Sequence, residues 1–241
     1  MPSERCLIFN AMQVGGLQKV SLIDYPGEIS AVVFTQGCNF RCVYCHNPEL
    51  VYPHLFGPPI DEKEIFDFLE RRRGKIDAVV ITGGEPLMQE DLLNFVLQVK
   101  AKGFLVKLDT NGSYPERLRH IMETGKIDYL AVDVKAPWSS YAKVVGVKGQ
   151  VEKIKETVEM ILASHMEYEF RVTVAYPLIS DVDVLAIGRA LQGAKRLVLQ
   201  KFSSKSGMMR TIEDLRSPSE GELQNLKKAL KEIIPCVVIR N

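Results

Sequence analysis

Cys38, Cys42 and Cys45 stand in one short stretch, Cys38-Asn39-Phe40-Arg41-Cys42-Val43-Tyr44-Cys45. Thiolates at this density suit a soft metal centre. A four-iron cluster takes four ligands, so three cysteines leave one iron without a protein thiolate. An open coordination position marks a metal site where an outside molecule binds, in contrast to a closed structural site. The same residues support three other readings. A zinc ion could take the cysteines with His46 or His54. The string Cys42-Val43-Tyr44-Cys45-His46 has the C-x-x-C-H pattern of c-type haem attachment. The three could also be ordinary buried thiols. Haem attachment normally follows export, and the start Met1-Pro2-Ser3-Glu4-Arg5-Cys6 lacks the apolar stretch of an export signal.

The elements that must position these residues alternate along the chain. Apolar runs predict strands over 31–35, 78–81, 104–109, 129–134, 168–175 and 196–199, with a closing strand over 237–239. Helical spacing predicts helices over 60–73, 90–102, 115–123, 151–163 and 182–191. A last helix is expected from Ser217-Pro218-Ser219-Glu220, with Ser217 and Glu220 as a capping box and Pro218 at the first helical position. Residues 14–23 read as a hairpin or loop, and Asp24-Tyr25-Pro26-Gly27-Glu28 as a turn. Repeated strand–helix units imply a parallel sheet, because each helix returns the chain to start the next strand in the same direction. An open doubly wound sheet and a full or partial barrel both fit. No linker divides the chain, so a single domain over 1–241 is expected: an extension to residue 30, a core over about 31–205, and a C-terminal helix and tail.

The unusual polar residues fall at one end of the strands. The cysteines follow the first strand and Thr82-Gly83-Gly84-Glu85-Pro86 the second. Asp109-Thr110-Asn111-Gly112 ends the third, Asp133 and Lys135 the fourth, and Gln200 to Ser203 the sixth. In parallel α/β folds that end forms the active face. Alternation puts Leu105, Lys107 and Asp109 on one face, Tyr129, Ala131, Asp133 and Lys135 on one face, and Glu169, Arg171 and Thr173 on one face. Lys107, Glu169 and Arg171 read as mutually neutralising charges inside a barrel. Asp109, Asp133 and Lys135, at strand ends, read as ligand-binding. Gly83 and Gly84 would let backbone groups approach a ligand closely.

With 241 residues, 46% hydrophobic and 25% charged, the chain has enough apolar sequence for a sizeable core. Its net charge of +1 offers no electrostatic case for nucleic acid. Five cysteines, three of them together, do not resemble a disulfide framework. No apolar run reaches the roughly 18 residues of a membrane span. A reducing, cytoplasmic setting is expected, with Cys6 and Cys236 as inert thiols.

The three-cysteine loop with Tyr44 before its last cysteine, followed by Gly83-Gly84-Glu85-Pro86, resembles the radical S-adenosylmethionine (SAM) superfamily. Asp24-Tyr25-Pro26-Gly27, Phe34-Thr35-Gln36-Gly37-Cys38-Asn39-Phe40-Arg41-Cys42 and Tyr44-Cys45-His46-Asn47-Pro48-Glu49-Leu50 look like the activating enzymes of glycyl-radical enzymes. Asp109-Thr110-Asn111-Gly112 and Asp133-Val134-Lys135 continue the likeness. It is strongest to activating proteins of anaerobic ribonucleoside-triphosphate reductase, then to pyruvate formate-lyase activating enzymes. The resemblance implies a partial (β/α)6 barrel, one 4Fe–4S cluster on Cys38, Cys42 and Cys45, and SAM on the fourth iron. It implies that Gly83, Gly84 and Glu85 hold the SAM amino group, that Tyr44 lies near the adenine with His46 beside it, and that Asp133 and Lys135 bind the cosubstrate. Asp109, Thr110 and Asp133 match positions that hold a monovalent cation in some relatives, and Arg171 matches an arginine near the site. The implied partners are a large glycyl-radical enzyme as protein substrate and a low-potential electron donor such as flavodoxin or ferredoxin. Gln200-Lys201-Phe202-Ser203 lacks the histidine of pyruvate formate-lyase activating enzymes. A radical SAM enzyme acting on a small molecule, of the deazapurine-forming type, is the other reading.

Overall fold

The computed structural model describes residues 11–203 and 215–240. Cys6 lies outside them. One eight-stranded sheet runs in strict chain order. Strand β1 (Val14–Ser21) is antiparallel to β2 (Ser30–Thr35). Then β3 (Ala78–Gly83), β4 (Leu105–Thr110), β5 (Tyr129–Asp133), β6 (Tyr168–Val174), β7 (Leu197–Lys201) and β8 (Val237–Arg240) follow in parallel. Helices α1 (Glu62–Arg71), α2 (Leu92–Ala101), α3 (Pro115–Glu123), α4 (Tyr141–Val145), α5 (Val151–Leu162), α6 (Asp181–Ala190) and α7 (Glu220–Leu230) make the crossovers.

Because each crossover moves one strand onward in the same direction, the sheet curls as a barrel does and has no switch point of a doubly wound fold. Among the described residues β1 and β8 do not pair, so the barrel is partial and open along one seam. The segment before residue 31 supplies an edge strand of this sheet, and the segment beyond 205 supplies α7 and β8.

The period-2 pattern sets the two faces. Val33, Ile81, Leu108, Val132, Val172 and Leu199 point outward and are fully buried under the helices. Burying one such side chain is worth about 1.5–3 kcal/mol. The inner face holds a small apolar plug of Tyr25, Val32, Ala78, Val80 and Tyr129, with Phe34 and Leu105 against it. Above that plug the inner face turns polar.

Two expectations change. The cap of α7 is Ser219, not Ser217: Ser219 and Glu222 form the reciprocal box. The Ser217 hydroxyl instead donates to the carbonyl of Phe202, so it is not available to the helix. Glu169 does not share charge with Lys107. Its carboxylate is held by both terminal nitrogens of Arg240 on β8, at 3.0 and 3.2 Å. Lys107 pairs with Asp109 at 2.5 Å.

Candidate active site

The strand ends converge on one cavity of about 770 Å³. Cys38, Cys42, Cys45, Tyr44 and His46 line it from the loop after β2. Gly83 and Gly84 line it from the end of β3, Asp109 and Thr110 from β4, Asp133 and Lys135 from β5, and Arg171 from β6. Of the residues expected at the site, Glu85 alone is absent from this lining. It is fully buried one step behind it.

Glu85 acts as a hub. Its carboxylate accepts from the Thr110 hydroxyl at 2.6 Å, the Asn111 N–H at 2.7 Å and the Leu87 N–H at 3.1 Å. Burial pushes its carboxyl up to about 7, against the downward pull of these three donors. All three contacts are donors, an arrangement that suits the carboxylate form. The hub ties the segment after Gly83-Gly84 to Thr110 and Asn111 at the end of β4.

The glycines are needed by the chain itself. A Cβ on Gly84 would sit 2.0 Å from the Gly37 carbonyl oxygen, and one on Gly83 would sit 2.4 Å from the Thr35 nitrogen. Gly83 also has φ of +111°, which L side chains avoid. The end of β3 therefore lies against the end of β2, bonded through Gly84 N–H to Thr35 O and Glu85 N–H to Gly37 O, each at 2.8 Å.

A ladder of alternating charge crosses the inner face. Lys107 donates to Asp109 at 2.5 Å, and Arg171 donates to Asp109 and to Asp133 at 2.7 Å each. Lys135 lies 3.2 Å from Asp133. Burial works against Asp133's charge, yet Arg171 and Lys135 together hold its carboxyl well below the usual carboxylate range. Burial likewise opposes charge on Lys135, but Asp133 beside it holds it well above the usual value. All four carboxylate oxygens of Asp109 and Asp133 are met by a cationic donor. The two acids meet three bases, of which Arg171 and Lys135 line the cavity and Lys107 is fully buried behind it.

The cysteine loop is fastened on both sides. Arg41 N–H donates to Val145 O at 2.8 Å and Val43 N–H to Val144 O at 3.1 Å, which docks the loop on the C-terminal carbonyls of α4. On the other side Asn39 donates to Ser113 at 2.8 Å and accepts from Asn111 at 2.9 Å. His46 bonds the Ser203 carbonyl and its ring lies 5.4 Å from that of Phe202. Burial pushes Cys38 up to about 12 and Cys42 up to about 11, and raises Cys45. In the free chain these groups are therefore thiols, and a metal must displace their protons to bind.

Sequence reasoning gave no role to Asn39, Asn111, Ser113 or α4. A polar residue between ligand cysteines, and an Asn-Gly-Ser turn at a strand end, were the available signals for the first three. Asp24 and Thr173 also line the cavity. His54, one of the two candidate zinc histidines, is exposed and packs on Tyr52 away from it.

The radical SAM superfamily profile matches residues 32–189. The chain belongs to the radical SAM superfamily. It is 35% identical over 235 residues to "Putative glycyl-radical enzyme activating enzyme MJ1227" of Methanocaldococcus jannaschii, covering 94% of this chain and 95% of that protein. It is 31% identical to the pyruvate formate-lyase-activating enzyme of Clostridium pasteurianum, over 57% of this chain and 58% of that one. It is 35% identical to the 7-carboxy-7-deazaguanine synthase of Methanopyrus kandleri, over 47% and 52%. Among solved structures, TYW1 with a lysine-pyruvate adduct bound superposes with a TM-score of 0.64 at 20% identity, covering 85% of this chain and 74% of that one. Streptococcus suis SuiB bound to S-adenosylmethionine gives 0.67 at 13%, covering 85% and 48%. At those identities the structural likeness concerns the fold.

A radical SAM enzyme implies a 4Fe–4S cluster and SAM, and the donor set suits both. Three thiols line the mouth of one cavity, and among the described residues no three acidic, imidazole or thiol groups are gathered about a single metal ion. A cluster takes one sulfur per iron rather than converging ligands. Among the described residues the buried Tyr44 hydroxyl has no hydrogen-bond partner, which leaves a polar atom beside the cysteines unsatisfied there. Among the described residues no helix is long and apolar enough to cross a membrane.

Proposed function

We propose that this protein activates a glycyl-radical enzyme. A bound 4Fe–4S cluster would supply the electron, brought by an outside reductant, for splitting SAM into methionine and a 5′-deoxyadenosyl radical, and that radical would take a hydrogen atom from a glycine Cα of the partner. The observation that carries this reading is the 35% identity to the M. jannaschii protein across nearly the full length of both chains.

The chain's own residues hold and orient. Cys38, Cys42 and Cys45 would bind three irons and leave the fourth for the SAM amino and carboxylate groups. Gly83 and Gly84 offer backbone groups for the SAM amino group, with Glu85 fixing that backbone from behind rather than by touching it. Lys135, the surplus cation of the ladder, suits the SAM carboxylate, with Asp133 and Arg171 setting its position. Tyr44 and His46 would flank the adenosine. A monovalent cation at Asp109, Thr110 and Asp133 would have to displace bases already seated there, so this chain favours Arg171 and Lys107 in that place. An external low-potential carrier such as flavodoxin or ferredoxin would bring the electron. The partner's glycine loop would enter at the barrel mouth, which a partial barrel would permit. Among partners, an anaerobic ribonucleoside-triphosphate reductase is favoured over pyruvate formate-lyase, since Gln200-Lys201-Phe202-Ser203 carries no histidine.

The test mixes reduced enzyme, SAM and an anaerobic ribonucleotide reductase under argon. The expected result is the doublet of a glycyl radical in electron paramagnetic resonance. The second reading, a small-molecule enzyme, draws on the 35% identity to the M. kandleri synthase over about half of each chain. Turnover of a free deazapurine precursor, with no doublet on any glycyl-radical enzyme, would establish it instead.

A further inference from the structure

Beneath the ladder lies a second ion pair that the cavity does not touch. Glu169 is fully buried on β6, two residues before Arg171 and on the same inner face. Its salt-bridge partner is Arg240, near the end of β8, whose guanidinium grips both carboxylate oxygens at 3.0 and 3.2 Å. Tyr129 adds a hydrogen bond to Glu169 at 3.3 Å and itself accepts from Arg196 at 3.1 Å.

A buried carboxylate without a cation is strongly unfavourable and draws on whatever cation it can reach. Two residues along a strand are about 6–7 Å, within the span of an arginine side chain. Arg171 is thus placed to turn toward Glu169 if Glu169 loses its partner. Arg171 also joins Asp109 to Asp133, and Asp133 is the acid that Lys135 meets.

We infer that Arg240 is a positioning residue for the SAM site. By neutralising Glu169 it keeps Arg171 on Asp109 and Asp133, and so keeps Lys135 aimed at the cavity. The last strand therefore sets the geometry of a site that none of its residues lines. This rests on the reading of Lys135 as a SAM-binding group.

The test uses the full chain with its cluster reconstituted anaerobically. SAM binding is measured by calorimetry, and the change in the reduced-cluster electron paramagnetic resonance spectrum on adding SAM is recorded. Arg240→Met is expected to weaken SAM binding about tenfold or more and to blunt the spectral change. The double variant Arg240→Met with Glu169→Gln, which removes both charges, is expected to restore binding to within about threefold of the parent. If Arg240→Met does not fold, Arg240→Gln, which also removes the charge, with and without Glu169→Gln gives the same comparison. Folded Arg240 variants that bind SAM like the parent would overturn the inference. So would a double variant as weak as the single one, since Arg240 would then act only through packing of β8. Lys135→Met separates the two claims: parent-like SAM binding in that variant removes the reading of Lys135 itself, whatever Arg240 does.

Discussion

The backbone N–H of Asn111 donates to Oε2 of Glu85 at 2.7 Å, joining the ends of two neighbouring strands beneath the cavity floor. The other oxygen of Glu85 takes Thr110 and Leu87. A Gln at position 85 would have to turn an NH2 group toward one of these donors. Leaving a buried donor unsatisfied costs about 1–3 kcal/mol. Glu85→Gln is accordingly expected to lose about 1–3 kcal/mol of unfolding free energy, read as a lower urea midpoint, and to weaken SAM binding. An unchanged midpoint would mean that the hub is not ionised.

Arg171 meets the buried Asp109 and the partly buried Asp133 at 2.7 Å each. Removing one partner from a buried ionic network costs about 3–5 kcal/mol, because the remaining charges are left uncompensated. Arg171→Met is expected to fall in that range in denaturant unfolding and to lose SAM binding. Arg171→Lys keeps the charge but cannot reach both acids with a fixed fork, and is expected to fall between.

Two glycines should respond in opposite ways. Gly84→Ala places a methyl 2.0 Å from the Gly37 oxygen, so the ends of β2 and β3 must part. A loss of about 1–3 kcal/mol is expected from forced overpacking, together with lower iron content per chain. Gly221, in the first turn of α7, meets nothing within 4 Å of an added Cβ. Gly221→Ala is expected to stabilise by about 0.4–1 kcal/mol. Thermal unfolding of the two variants checks both signs.

The start of α7 should loosen in acid. Arg216 and the Ser219 N–H and hydroxyl hold Glu222 down to about 2. Its folded value lies below its unfolded one, near 4.5. What it contributes is therefore complete above about pH 4.5 and is lost as pH falls toward 2. Protection of the amides at the start of α7, taken relative to their intrinsic exchange rates at each pH, is expected to fall across that window in the parent and to stay flat in Glu222→Gln. A parent without that acid transition would show that the pair with Arg216 is not formed in solution.

Much of this arrangement can be read from the sequence, and the exceptions have physical causes. Strand alternation put Lys107, Asp109, Asp133 and Arg171 on the inner face, and they are there, because period 2 leaves little choice once the outer face must meet helices. Strict strand order, which made the sheet a barrel, cannot be read from alternation alone. The wrong partner for Glu169 has the same origin. Alternation tells which face a residue shares, but not that β5 separates β4 from β6 while β8 curls close enough for Arg240 to reach. The cap of α7 was misplaced by two residues since Ser217 and Ser219 each stand three before a glutamate. The long-range bond from Ser217 to Phe202 decided between them. The five-residue α4 is too short to leave a periodic signal, yet its last carbonyls hold the cysteine loop.

The most direct measurement is the fate of SAM on the reduced protein. Anaerobically reconstituted chain, treated with dithionite and given SAM, is expected to release 5′-deoxyadenosine and methionine in equal amounts. Replacing Cys38, Cys42 or Cys45 by Ala should abolish both. A protein carrying four irons and four sulfides per chain that leaves SAM uncleaved would contradict the account.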